Sequence, residues 1–217
     1  MSQNDITNIS SIIKGKKISY HNTPILHYII TYPAFTPQGN TPAAAQINHY
    51  YQQEALEFIL YCEETLLPAA AADYGNSIAN GFPVHQYDAQ WDYTITYNHN
   101  CIVSLYIDQY EYTGGAHGTT RRSSDTWNLY TGQKLSLTEI LTGNNLSIDQ
   151  VLAEIQKQIR AQLEDGSGTY LDNAVTLAAE TFRPDQFYLT DDGIVFYFQQ
   201  YDIAPYVSGI PEFMVPY

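Results

Sequence analysis

The sequence predicts an α+β fold with mainly antiparallel sheets and a few amphipathic helices. Three observations carry that expectation. From Tyr87 to Tyr97 the odd positions read Tyr, Ala, Trp, Tyr, Ile, Tyr and the even ones Asp, Gln, Asp, Thr, Thr, a strict period of two that buries one strand face. Cys101, Val103, Leu105 and Ile107 repeat the pattern just after the polar Asn98-His99-Asn100 stretch, so the clearest strand pair is a hairpin rather than a parallel crossover. Ser136 to Glu139 and Ser147 to Gln150 have the spacing of capping boxes, in which a hydroxyl and a side-chain carbonyl satisfy each other's backbone N–H groups. Helices interspersed with antiparallel strands favour α+β over a doubly wound sheet.

Taken in order, residues 1–18 read as a flexible, polar arm that holds Lys14, Lys16 and Lys17. Ile18 to Tyr32 is rich in Ile, Tyr and Thr and reads as one long strand or two short ones closed by Pro33. Pro42 opens a helix in which Ile47, Tyr51, Phe58 and Cys62 recur at intervals of four and seven, a stripe that faces a core. Pro68 kinks that segment or begins a second helix through the alanines at 69–72, and Gly75, Gly81 and Pro83 mark its exit.

A three-residue loop at Asn98 to Asn100 would set Trp91 against Ile107, Tyr93 against Leu105 and Ile95 against Val103, with Asn100 in the left-handed conformation. The Thr113 to Gly118 run is a turn, Thr126 to Leu129 a strand, and Thr131-Gly132 another turn. The helix after Ser147 carries Ile148, Val151, Leu152, Ile155, Ile159 and Leu163 on one face and stops at Gly166 and Gly168. Strands follow at Gln186 to Leu189, Ile194 to Tyr201 and Phe213 to Pro216, the last at a sheet edge because proline cannot donate to a ladder.

Composition narrows the function. The 217 residues carry 9 Lys plus Arg against 23 Asp plus Glu, a formal charge of −14, which removes nucleic acid and anionic membrane surfaces as favourable partners. No apolar run approaches the ~18 residues of a membrane span, so no membrane insertion is expected of this chain. Cys62 and Cys101 have no Cys-x-x-Cys spacing and no nearby histidine pair, which argues against zinc; they are open to reading as one disulfide or as two buried thiols, Cys62 on a helix and Cys101 on an apolar strand face. No hydrolase elbow, phosphate loop or dinucleotide fingerprint occurs. No enzyme, cofactor or metal is therefore expected.

The 20 tyrosines divide by position. Those alternating on strands, such as Tyr93 and Tyr97, are packing residues. Tyr110, Tyr112, Tyr201 and Tyr206 lie near turns, where a tyrosine offers large contact area at low entropic cost; with His117, which sits in a glycine turn before Arg121 and Arg122, they are the candidate partner-binding residues. The competing reading is a glycan hydrolase using Asp92 or Asp108 with His117. Asp88 and Asp92, four residues apart on one strand face, stand ~13 Å apart, outside the roughly 5–9.5 Å that paired-carboxylate glycoside chemistry uses.

Three stretches together resemble a known pair of bacterial domains: Tyr110 to Gly118 (Tyr-Glu-Tyr-Thr-Gly-Gly-Ala-His-Gly), Trp127 to Leu141, and Phe196 to Tyr217 with Tyr201-Asp202-Ile203-Ala204-Pro205-Tyr206 and Gly209. The Ile47-Asn48 step suits the same pattern. The pair is that of the extracytoplasmic region of the lysozyme-responsive, RsiV-like anti-sigma factor, and its first half resembles the amino-terminal domain of the PdaC peptidoglycan deacetylase. The resemblance implies two small, intimately packed α+β subdomains, 19–117 and 118–217, acting as a binding or sensing module of the cell envelope. It implies an extracytoplasmic location, secreted or envelope-attached, with the signal segment absent from this chain. The implied partner is a basic protein such as lysozyme, or a cell-wall glycan. A sigma-binding segment, a membrane helix and the deacetylase's metal-holding residues are not in the sequence, so neither a complete anti-sigma factor nor deacetylation is expected.

Overall fold

The computed structural model describes residues 7–36 and 41–217. The fold is α+β, with a six-stranded sheet in the order β1-β2-β3-β4-β5-β6 and a three-stranded sheet β7-β8-β9. The strands are β1 Ile9–Tyr20, β2 Thr23–Phe35, β3 Tyr87–His99, β4 Ile102–Tyr112, β5 Thr119–Asn128, β6 Gln133–Lys134, β7 Phe187–Leu189, β8 Gly193–Tyr197 and β9 Glu212–Pro216. The helices are α1 Thr41–Tyr61, α2 Leu67–Asn80, α3 Leu137–Gly143, α4 Ile148–Glu164 and α5 Ala174–Glu180.

The chain forms two compact units: one holds Thr7–Tyr93 and Ile107–Thr120, the other Thr94–Tyr106 and Arg121–Tyr217. Residues 94–106 of the β3–β4 hairpin group with the carboxy-terminal part. Strands of 13 and 11 residues are long enough for each to serve both units.

In the first unit the expected arm is corrected. Residues 1–6 lie outside the described residues, but residues 9–18 form most of β1, antiparallel to β2 and joined to it by the two-residue turn His21-Asn22, both at positive φ. Strand β1 escapes a search for alternation because its side chains are almost all exposed or half-exposed. Pro33 does not close the strand. It sits inside β2 opposite Ser11, beyond the Leu26–Ile30 stretch that ladders with β3, where its missing N–H costs no sheet bond. The β2–β3 ladder is parallel, the one such pairing among the described ladders.

The stripe Ile47, Tyr51, Phe58 and Cys62 is buried as its spacing requires. Between α1 and α2 the helix widens into a π turn, Cys62–Leu66, and Pro68 falls in the first turn of α2. The proline's absent donor is thus accommodated by a local change of helical pitch rather than by a break. Gly81 at φ 67 ends α2 in the left-handed conformation, with Phe82 N–H donating to the Ser77 carbonyl. Asn48 explains the polar step beside Ile47: its Oδ1 accepts from Phe35 N–H at 2.7 Å and its Nδ2 donates to Phe35 O at 2.9 Å, so its amide acts as one more strand residue for the end of β2.

The hairpin turn also differs from the expectation. The loop is the two residues Asn100 and Cys101, at φ 54 and 59, and it places His99 opposite Ile102. Odd positions beside the turn therefore face even ones, and the register Trp91–Ile107, Tyr93–Leu105, Ile95–Val103 does not follow from it. Cys101 is a turn residue rather than a strand-face residue, and its carbonyl accepts from Leu129 N–H at 2.8 Å.

In the second unit both capping boxes form, each with a backbone-to-side-chain bond in both directions. Val151, Ile155 and Ile159 of α4 are buried with Phe196, Phe198 and Phe213, while Ile148 and Leu163, at the ends of the expected stripe, are exposed. Phe187 pairs with Phe196, and Pro216 lies on the edge strand β9 opposite Gly193. Helix α5 and strand β6 are too short to leave a period in the sequence.

Candidate functional site

Two loops of the second unit meet in one surface. Leu171 N–H donates to the Ile203 carbonyl at 3.0 Å, and Ser208 Oγ donates to the Thr169 carbonyl at 2.8 Å, so the segment after α4 is tied to the segment between β8 and β9. Ile203 and Ala204 are fully buried and anchor the second loop. Around them the backbone is closed tightly. Gln199 N–H donates to Asp202 Oδ2 at 2.9 Å, Asp202 N–H returns to Gln199 O at 3.1 Å, and Gly209, at φ 67, donates to Tyr206 O at 2.9 Å. Burial pushes the Asp202 carboxyl above its ordinary value, against the opposing pull of the Gln199 N–H and of Arg183.

That frame displays aromatic rings. Tyr201 sits at φ 70, a left-handed conformation that aromatic residues rarely adopt, and is 55% exposed. Its ring centroid is 6.1 Å from that of Tyr206, with 32° between planes. Val207 projects beside them at 83% exposure. Two of the five residues expected to bind a partner are thereby brought together. Val207, and Leu171 on the neighbouring loop, were not anticipated; the only sequence signal for Val207 was its place between Pro205 and Gly209. Residues 184–217 themselves hold Asp185, Asp191, Asp192, Asp202 and Glu212 and no lysine or arginine.

The other three expected residues belong to the first unit. Tyr110 is a packing residue: a Cβ at Gly118 would lie 2.5 Å from its ring and from the Glu111 carbonyl, so the two close on each other. The Tyr112 hydroxyl donates to Gly115 O at 3.1 Å and closes the glycine turn, where Gly114 and Gly115 take φ values of 100 and 90. His117 is exposed, with Nδ1 3.0 Å from the Gly118 carbonyl.

His27 Nδ1 lies 3.2 Å from Asp88 Oδ2, and His99 Nε2 lies 3.5 Å from Asp191 Oδ1, but among the described residues neither histidine is hydrogen-bonded to a hydroxyl or thiol that it could activate. Asp92 is exposed on β3 and Asp108 half-buried on β4. Among the described residues no group of three or more His, Cys, Asp or Glu is placed to hold a metal ion. Both cysteines are free thiols; Cys62 is buried, and burial, with Glu111 and Glu63 nearby, pushes it up to about 12.

Sequence reasoning missed two polar clusters. Arg122 packs between Tyr106 and Tyr197 and pairs with Glu212. At the π turn, Glu63 Oε1 accepts from both Lys16 Nζ at 2.8 Å and the Tyr28 hydroxyl at 2.7 Å, while the Tyr61 hydroxyl donates to Glu111 Oε2 at 2.7 Å. Their partners are 16 to 90 residues apart in the chain, beyond any helical or strand period.

Comparison with known proteins decides the family. Residues 19–120 match the family described as Deacetylase PdaC, and residues 139–217 match the protein of unknown function family DUF3298. The chain is a tandem of these two domains. Its fold is shared with a DUF3298 family member from Bacteroides fragilis at TM-score 0.72, 19% identity, 99% of this chain and 92% of that one. A DUF3298 family protein from Pseudomonas aeruginosa gives 0.60, 21% identity, 97% and 90%. A Mycobacterium tuberculosis protein named as an esterase is 23% identical over 145 residues, 64% of this chain, and the chain spans 62% of that relative's length. The tyrosine loop lies in the DUF3298 domain, and the glycine turn closes the PdaC-type domain.

Proposed function

We propose that this tandem is a non-catalytic, extracytoplasmic binding or sensing module of the bacterial cell envelope, and that the Tyr201–Tyr206 loop of its DUF3298 domain is the contact surface. The ring pair carries the reading. Tyr201 is held in a costly backbone conformation on a loop anchored by buried Ile203 and Ala204, and the structure around it spends that strain on display rather than on packing. Large amphipathic rings on a rigid base bind with little loss of conformational freedom. The ligand is a basic protein such as lysozyme, or a cell-wall glycan: the acidic charge of the region steers a cationic protein toward it, and flat rings also stack on sugars. The PdaC name of the first domain supports an envelope setting.

The competing reading is a hydrolase, which the names of the PdaC family and of the mycobacterial relative favour. The unpaired state of His27 and His99 with respect to any nucleophile weighs against it. Calorimetric titration of the chain with lysozyme and with soluble peptidoglycan fragments tests the proposal. Saturable binding of one of them, with no turnover of glycan or ester substrates, supports it; turnover abolished by alanine at Asp92, Asp108 or His117 replaces it with the hydrolase.

A further inference from the structure

We propose that the free edge of β1 is a second docking site, which takes an extended acidic peptide as an additional strand of the six-stranded sheet. Strand β1 is 12 residues long and lies at the end of the sheet order, with β2 on one side. Thr36 N–H donates to Asn8 O at 2.9 Å, in register with Ile9↔Phe35, so the even residues of β1 exchange backbone bonds with β2 and the odd ones point outward. The N–H and C=O groups of Ser11, Ile13, Gly15 and Lys17 therefore form a straight row of donors and acceptors before the bulge at Ile18/Ser19.

The other edges among the described strands are short, or are tied in part by side-chain bonds, as at Arg122 of β5, whose N–H and C=O bond the Gln199 amide. Strand β6 is two residues long. Strand β7 has its Leu189 N–H donating to Ser104 Oγ at 2.9 Å and its Phe187 carbonyl accepting from Ser124 Oγ at 2.5 Å. Strand β9 ends in Pro216, and its Met214 carbonyl accepts from Gln158 Nε2 at 2.8 Å. A long uncapped edge is a template for another strand, and proteins that do not use one commonly shorten, bend or cover it.

Charge selects the occupant. Lys14, Lys16 and Lys17 are three of the nine basic residues of a chain at −14, and they sit on this edge strand. Lys16 is held by Glu63, whereas Lys14 and Lys17, on opposite faces of the strand, have no salt-bridge partner among the described residues, and Ile13 next to Lys14 is 63% exposed. A peptide that alternates carboxylates with apolar residues places all its carboxylates on one face, where they meet Lys14 and Lys16, and its apolar side chains on the other, beside Ile13. A second copy of this chain would bring its own lysine-rich edge to the same place, which opposes self-pairing.

The test uses the full chain and two blocked nine-residue peptides, one alternating glutamate with valine and threonine, the other with lysine in place of glutamate. Expected is saturable binding of the glutamate peptide at least tenfold tighter than the lysine peptide at low salt, with new hydrogen-exchange protection at the odd amides of residues 11–17. Ile13→Pro removes one outward donor while sparing the bonds to β2, as Pro33 does on the facing strand, and abolishes the binding. Lys14→Glu with Lys17→Glu reverses the preference between the peptides and serves if the proline variant does not fold. Equal affinity for the two peptides, no binding of either, or protection of those amides that rises with protein concentration in the absence of peptide overturns the proposal; the last result assigns the edge to a second copy.

Discussion

The guanidinium carbon of Arg122 lies 3.7 Å from the centroid of the Tyr106 ring, and the same side chain pairs with Glu212 on β9 while remaining 9% exposed. A planar cation flattened on one ring, 5.9 Å from the Tyr197 ring and fixed to a carboxylate, is an arrangement that lysine cannot reproduce. Gln199 completes it, since its side-chain amide accepts from Arg122 N–H and donates to Arg122 O. The second unit thus has a polar clamp between β5 and the start of the segment that carries the tyrosine loop.

Arg122→Ala is expected to destabilise the second unit by about 2–4 kcal/mol, because it strips the partner from Glu212 and the cation from two rings. Arg122→Lys recovers less than half of that loss. Urea unfolding followed by circular dichroism measures both, and a midpoint unchanged in either variant contradicts the clamp.

Thiol chemistry separates the two cysteines. In the folded chain Cys62 is buried and held protonated up to about 12, whereas Cys101 is half-exposed in a turn. One thiol per chain reacts with a disulfide reagent at pH 8 without denaturant, and two react in its presence. Two fast-reacting thiols, or none in denaturant, would contradict this placement.

Alkaline pH destabilises the fold. Burial pushes the Cys62 thiol, and the hydroxyls of Tyr61 and Tyr217, up to about 12 from their ordinary values near 9 and 10. Groups that keep their protons longer when folded contribute stability that is fully present below their unfolded values and is lost as pH rises toward 12. Stability measured from pH 8 to 11 should fall, and Cys62→Ser should flatten the part of the slope that begins near 9. A flat profile over that range would contradict the burial of Cys62.

Gly118→Ala tests the motif that ends Ala116-His117-Gly118. The new methyl meets the Glu111 carbonyl and the Tyr110 ring at 2.5 Å, and the backbone contact cannot yield by a rotamer change. A loss of about 2–3 kcal/mol is expected, with Gly143→Ala, where nothing lies within 4 Å, as the tolerated control.

How far the sequence foretold this follows from how local each signal is. Ser136 and Ser147 each act on residues three positions on, so their caps were legible, as was the burial of Val151, Ile155 and Ile159 at helical spacing. The β3 alternation was equally plain, but its turn was not: Cys101 takes a left-handed conformation more typical of Gly or Asn, and a one-residue change in loop length inverts the register beside it. Strand β1 hid because an exposed edge strand has no face to bury. At the candidate site, Tyr201 and Tyr206 were visible as tyrosines near turns, yet their pairing depends on the Leu171–Ile203 bond that ties two distant loops, and Arg122 joins residues from three strands. Contacts of that range are products of the fold and leave no local pattern.

The central claim is that paired rings on the DUF3298 domain form a binding surface. Tyr201→Ala with Tyr206→Ala, compared with the unaltered chain in titrations against lysozyme and soluble peptidoglycan, addresses it most directly. The account predicts at least a tenfold loss of affinity for whichever ligand binds, with a urea midpoint that does not fall. Undiminished affinity in the double variant would contradict it.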